Sequence, residues 1–138
     1  MNKHSERTRR WERNHPEKAR AAARRKHVRQ HMKRPWLWSF RACRARALEK
    51  GVDFTLTHVW AATTYTGFCS LTKLPFVVRS ETGKRGPSPY SVSIDRIKHH
   101  VGYYPHNCRF VLHAVNTMRG SGTDAEMNLI ARALINNL

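Results

Sequence analysis

A chain of 138 residues is long enough for one compact domain and short for two, and its 26 Lys and Arg against 9 Asp and Glu give a formal charge of +17. So cationic a surface attracts polyanions, nucleic acid first among them. An anionic membrane would call for a broad apolar face, and residues 1–34 offer only Met1, Trp11, Val28, Met32 and alanines.

The charge is uneven: residues 1–50 hold 17 of the basic side chains and 4 acidic ones. Residues 5–34 read as a charged helix or helix-forming arm, since Ala, Arg, Lys, Glu and Gln dominate and all favour helix. No continuous apolar stripe runs along it, so the arm is expected to be solvated and to order when phosphates neutralise it. Pro35 ends it. Arg9, Arg10, Arg20, Arg24, Arg25 and Lys26 are its candidate nucleic-acid contacts, joined by Arg41 and Arg44 beyond Pro35. Such contacts position a protein on the phosphate backbone without reading sequence.

After Pro35, Leu37, Phe40, Ala47 and Leu48 recur at helical spacing up to Gly51. Thr55 to Thr66 reads as a second helix, capped by Thr55, with Leu56, Val59 and Trp60 on its apolar face. Phe68 to Val78 has the texture of a short strand and turn, and Ser80 to Pro89 is a polar loop with Lys84 and Arg85 at its tip. Tyr90 to Ile97 alternates as a strand, with Val92, Ile94 and Arg96 against Ser91, Ser93, Asp95 and Ile97. A loop around Gly102 leads to a second strand, Cys108 to Leu112, and the pair can form an antiparallel hairpin. A short helix over His113 to Met118 follows. Thr123 and Glu126 fit a capping box for a last helix to Asn137, with Ala125, Leu129, Ala133 and Leu134 on one face. Trp36, Trp38, Trp60, Phe68 and Phe76 are candidate core residues.

Cys43, Cys69 and Cys108 are too few and too scattered for a disulfide framework, and read as buried thiols. No CxxC pair exists, so no structural zinc is expected. No apolar run reaches membrane-spanning length and no hydrophobic signal core follows the N-terminus, so no membrane association is expected and the protein should stay in the cytoplasm.

Ser93-Ile-Asp-Arg-Ile97, Gly102-Tyr103, Asn107-Cys-Arg-Phe-Val111 and Asn116-Thr-Met-Arg119 together resemble the HNH endonuclease family, in particular its small phage-encoded members. Cys69-Ser-Leu-Thr-Lys-Leu-Pro-Phe76 is similar to the element that precedes the core in such proteins. The resemblance runs from about Trp36 to Met118. It implies an α+β fold: a ββα-metal core with flanking helices, a domain over 36–138, and a basic helical arm over 1–35. It also implies a metal-dependent DNA endonuclease of a phage or mobile element, nicking phosphodiester bonds in the host-cell cytoplasm.

By position, the family's metal ligands match Asp95 and Asn116, oxygen donors that suit Mg2+ or Mn2+. The family's middle Asn, which braces the loop and orients the base, matches Asn107. The position of the catalytic histidine holds Arg96, which stays protonated and can bind phosphate but cannot accept a proton from water. His99 and His100, directly after the strand, are the first candidates to replace it, His99 before His100, and the alternative is water activated without a protein base. His113 reads as a satisfied polar group at a helix start. Leu112 and Val115 occupy the downstream cysteine positions of zinc-stapled relatives, and Thr72 the upstream partner position. The alternative class is the same fold used to dock DNA or RNA without cleavage. A third is a basic RNA-binding or ribosome-associated protein, carried by charge alone.

Overall fold

Pro16 divides the basic arm into two helices in the computed structural model, which describes residues 3–78 and 88–138. Helix α1 spans Lys3–Asn14 and α2 spans Pro16–Lys33. A residue before proline is pushed out of the helical region, and His15 adopts φ −135°, ψ 60° there. Proline at the first position of α2 costs nothing, because that N–H would have no helical partner. Nearly every described arm residue is exposed, including all six candidate basic contacts. The His27 ring lies 4.9 Å from the Trp38 ring, where α2 meets the next helix.

Helix α3 (Leu37–Glu49) buries Leu37, Phe40, Cys43 and Ala47, one stripe at helical spacing. Leu48 is 84% exposed, because the buried stripe passes through its neighbour Ala47 instead. Helix α4 is shorter than the sequence suggests (His58–Thr64), and its cap is Thr57, whose hydroxyl accepts the Trp60 N–H at 3.1 Å. Thr55 extends instead: its N–H bonds the Tyr103 carbonyl at 3.0 Å, and Phe54 bridges Tyr103. Leu56 is buried, but Val59 is 72% exposed, since Ala61 takes the inward position.

Residues 68–76 turn tightly, with Lys73 at φ 62° and a single bridge between Phe68 and Pro75. Ser70 ties this turn to the hairpin, its N–H and Oγ both donating to the Phe110 carbonyl. The polar loop expected over Ser80 to Pro89, with Lys84 and Arg85, lies largely outside the described residues.

Strands β1 (Val92–Arg96) and β2 (Cys108–Leu112) form the antiparallel hairpin. Its register pairs Asp95 with Arg109 and Ile94 with Phe110. Helix α5 (His113–Arg119) leaves β2 directly, and α6 (Asp124–Asn137) follows after a turn at Gly120, φ 54°. Thr123 and Glu126 make the expected capping box.

The core gathers the inner stripes of α3 and α4, the 68–76 turn, the hairpin and α5. Trp36 and Phe76 are buried in it and Trp60 is half-buried, whereas Trp38 and Phe68 are largely exposed. Cys43, Cys69 and Cys108 are free and buried there. Helix α6 buries none of its residues: Leu129 is 70% and Leu134 51% exposed, and it is Met127 that packs on the core. Among the described residues no helix is long and apolar enough to cross a membrane.

Candidate active site

Successive strand residues point to opposite faces, so β1 divides its chemistry between two sides. Ser93 and Asp95 face α5, and both are buried. Ile94 and Arg96 face the other way, toward the loop and α3.

On the first side Asp95 is 3% exposed and bound by two guanidinium groups. Arg109, its cross-strand partner, donates from Nε to Oδ2 at 2.8 Å. Arg119, on the last turn of α5, donates from Nη1 to Oδ1 at 2.7 Å. Arg119 also fastens the end of β1, donating to the backbone carbonyls of Arg96 and Ile97. Asp124 closes a ring: it accepts from Arg109 Nη1 and Nη2 at 2.7 and 2.6 Å, and from Arg119 Nε at 2.8 Å. These bonds to Arg109, together with the charges of both arginines, hold the Asp124 carboxyl below the usual range. The same bonds raise Arg109 further above its ordinary value.

Asn116, one turn before Arg119 on α5, donates from Nδ2 to Ser93 Oγ at 2.7 Å and to the Ile94 carbonyl at 3.4 Å. Asp95 and Asn116 therefore reach the same side of the hairpin. A carboxylate and an amide oxygen are the right chemistry for a hard divalent cation, and each Asp95 oxygen keeps a second lone pair beyond its arginine. Among the described residues no three His, Cys, Asp or Glu side chains form a metal-holding group. An ion would thus draw on these two donors plus water and phosphate oxygens, and would compete with Arg109 and Arg119 for Asp95.

On the second side Arg96 Nη1 donates to the Val101 carbonyl at 3.2 Å, and its guanidinium stands 4.8 Å from the centre of the Tyr103 ring. Arg96 is a brace for the loop after β1. Asn107 braces the same loop from below: Oδ1 accepts the Lys98 N–H at 2.9 Å, while Nδ2 donates to the carbonyls of Lys98, Val101 and Gly102. Gly102 is required by close approach, since a Cβ there would lie 2.9 Å from the Asp53 carbonyl oxygen. His99 and His100 sit on the exposed turn of this braced loop, their rings 5.5 Å apart and edge to face. His113 opens α5, half-buried, with its N–H on the Ser91 carbonyl.

Leu112 and Val115 are buried in the same core cluster as Cys69, whose Sγ accepts the N–H groups of Leu112 and Thr72 at 3.4 and 3.5 Å. Arg41 and Arg44 are exposed on α3. Arg109, Arg119 and Asp124 form an ion-pair cluster with Asp95 at the hairpin, and the sequence assigns a role to none of the three. The one available signal was the Asn116-Thr-Met-Arg119 spacing, which puts Arg119 one helical turn from Asn116.

No protein-family model matches the sequence, and comparison with curated proteins finds no match. Among solved structures the fold is similar to that of the rare-cutting HNH restriction endonuclease PacI, with a TM-score of 0.51 at 19% identity. The alignment covers 71% of this chain and 75% of that one. The likeness is one of fold: a two-stranded antiparallel hairpin followed by a helix, in an α+β setting.

Proposed function

We propose that the chain is an HNH-type DNA endonuclease that hydrolyses phosphodiester bonds, nicking one strand per engagement. The observation that carries this reading is the placement of Asp95 and Asn116 on one side of a hairpin–helix unit whose fold is shared with an HNH nuclease. The charge of +17 and the exposed arginines of α1 and α2 support DNA as the substrate. In this reading residues 1–35 are the DNA-holding arm and 36–138 the nuclease domain, in a phage or mobile-element protein.

Asp95 and Asn116 would hold a divalent ion, Mg2+ or Mn2+; when bound, it supplies positive charge to the scissile phosphate and the leaving oxygen. Arg109 and Arg119 hold the Asp95 carboxylate in place and add positive charge beside it. Arg96 is engaged with Val101 and Tyr103, and a guanidinium is no base at neutral pH, so the proton of the attacking water goes to another group. His99 fills that role, carried on the turn that Arg96 and Asn107 hold. A second reading, DNA docking without cleavage, is favoured by the two arginines that already occupy both oxygens of Asp95.

Nicking of supercoiled plasmid separates the two. The protein is incubated with Mg2+ or Mn2+, with EDTA, and beside Asp95→Asn, whose folding is checked by circular dichroism. Metal-dependent nicking that the folded variant lacks supports the nuclease. Firm DNA binding with no cleavage under any metal overturns it in favour of docking.

A further inference from the structure

The ring Arg109–Asp95–Arg119–Asp124 is asymmetric in burial. The side chains of Arg119 and Asp95 are 2% and 3% exposed, Arg109 15%, and Asp124 44%. Its inner carboxylate is thus part of the core, while its outer one stands at the surface. The outer carboxylate is gripped as a phosphate would be: both terminal nitrogens of Arg109 form a two-pronged fork onto its two oxygens, and Arg119 Nε adds a third bond. Charge balance makes the same point. The two guanidinium groups carry +2 and Asp95 supplies −1, so one further negative charge completes the ring, and a phosphodiester carries just that. The outer carboxylate rides on α6, a helix with no buried residue, so little apolar packing resists its displacement.

We propose that Arg109 and Arg119 form a binding site for a backbone phosphate of nucleic acid, and that Asp124 occupies it as an internal substitute when no nucleic acid is bound. Docking a strand exchanges one anion for another on the same guanidinium fork, and α6 is released at its N-terminal end. The site lies on the hairpin side that carries Asp95, so the seated phosphate is held next to the candidate active site. The inference rests on the nucleic-acid reading above but not on cleavage.

The test is binding of a fluorescent 20-base-pair duplex, read by anisotropy, by the wild type, Asp124→Asn, Glu126→Gln and the double variant Arg109→Gln/Asp124→Asn. Glu126 lies on the same helical turn and carries the same charge, so its variant measures the general effect of removing an anion. Asp124→Asn should tighten binding by about five- to tenfold and steepen the salt dependence by about one phosphate. Glu126→Gln should do neither, and Arg109→Gln should erase the gain. Equal effects of Asp124→Asn and Glu126→Gln, or a gain that survives Arg109→Gln, overturn the proposal.

If the wild type binds no duplex, the nucleic-acid reading fails, and inorganic phosphate at constant ionic strength decides the site alone. A rise in the Tm of Asp124→Asn, absent in the wild type, supports it, and no rise overturns it. Should Asp124→Asn not fold, the Arg119 Nε–H resonance of the wild type replaces it. That signal shifts on adding duplex if a phosphate takes the place of Asp124, and an unmoved signal at saturation overturns the proposal.

Discussion

Arg119 reaches Asp95 at 2.7 Å with both side chains buried, and in doing so ties the last turn of α5 to the end of β1. The register of the hairpin, the position of α5 and the outer contact with α6 all converge on this pair. Removing Arg119 leaves the buried Asp95 with Arg109 as its remaining counter-ion and takes a donor from the carbonyls of Arg96 and Ile97. Arg119→Met should therefore cost about 3 kcal/mol in chemical denaturation, the low end for a broken buried pair. Arg119→Lys should recover only part of that, because a lysine cannot reach Asp95, Asp124 and two carbonyls at once. A loss below about 1 kcal/mol for Arg119→Met would show that the pair contributes little to the fold.

The loop after β1 depends on a glycine. A methyl group at position 102 would press on the backbone of Asp53 at 2.9 Å, and backbone cannot move aside as a flexible side chain can. Gly102→Ala should destabilise by about 1–3 kcal/mol. It should also weaken the hydrogen bond from Tyr104 to Asp53, now 2.6 Å, which a fall in the raised Tyr104 pKa would report.

Asn107 is buried and satisfies one N–H and three carbonyls of the same loop. Asn107→Ala should cost about 1–3 kcal/mol by leaving the Lys98 N–H unpaired. Asn107→Asp should be worse still, since a carboxylate would face the three carbonyls that the amide now donates to. Hydrogen exchange at Lys98 and Val101 should accelerate in both variants while α3 stays protected.

Acid should loosen the contact between α6 and the hairpin. Asp124 has a depressed native pKa, first because of its bonds to Arg109, so its contribution is complete above the ordinary carboxylate pKa. It is lost as pH falls through the native value, where the protonated carboxyl stops pairing. Glu126 is depressed too, by its bonds to Thr123, and adds to the same acid limb. Asp124→Asn should flatten part of the fall in Tm between neutral pH and about pH 3, and an unchanged profile would contradict the pairing.

Three cysteines should be silent in the native protein. Burial pushes the Cys108 thiol up to about 12 and raises Cys43 as well. Cys69 is fully buried behind its two amide donors. Ellman's reagent at pH 8 should therefore titrate no thiol until denaturant is added, and then three. Rapid labelling of any one in native conditions would place it at the surface.

Local signals were enough for the order of elements. The strand read over Tyr90 to Ile97, the capping box at Thr123 and Glu126, and the glycine stop at 51 each rest on a few residues, and all three appear in the structure, the strand as Val92–Arg96. The break at Pro16 is equally local and could have been read from the proline. Inward faces were less legible. Leu48, Val59, Leu129 and Leu134 satisfy a helical period yet stand exposed, because a period names a stripe without naming what covers it.

The sequence by itself determined the cationic arm, the hairpin followed by a helix, and the spacing of Asp95, Asn107 and Asn116, since charge, periodicity and motif spacing are properties of the chain read in order. Only the tertiary structure decided that Asp95 pairs with Arg109 and Arg119, 14 and 24 residues away, and that Asp124 closes their ring from a helix that packs hardly at all. The reason is physical. Strand register and helix docking choose which distant charges meet, and burial then fixes the pairing, because a charge inside the protein must find its opposite.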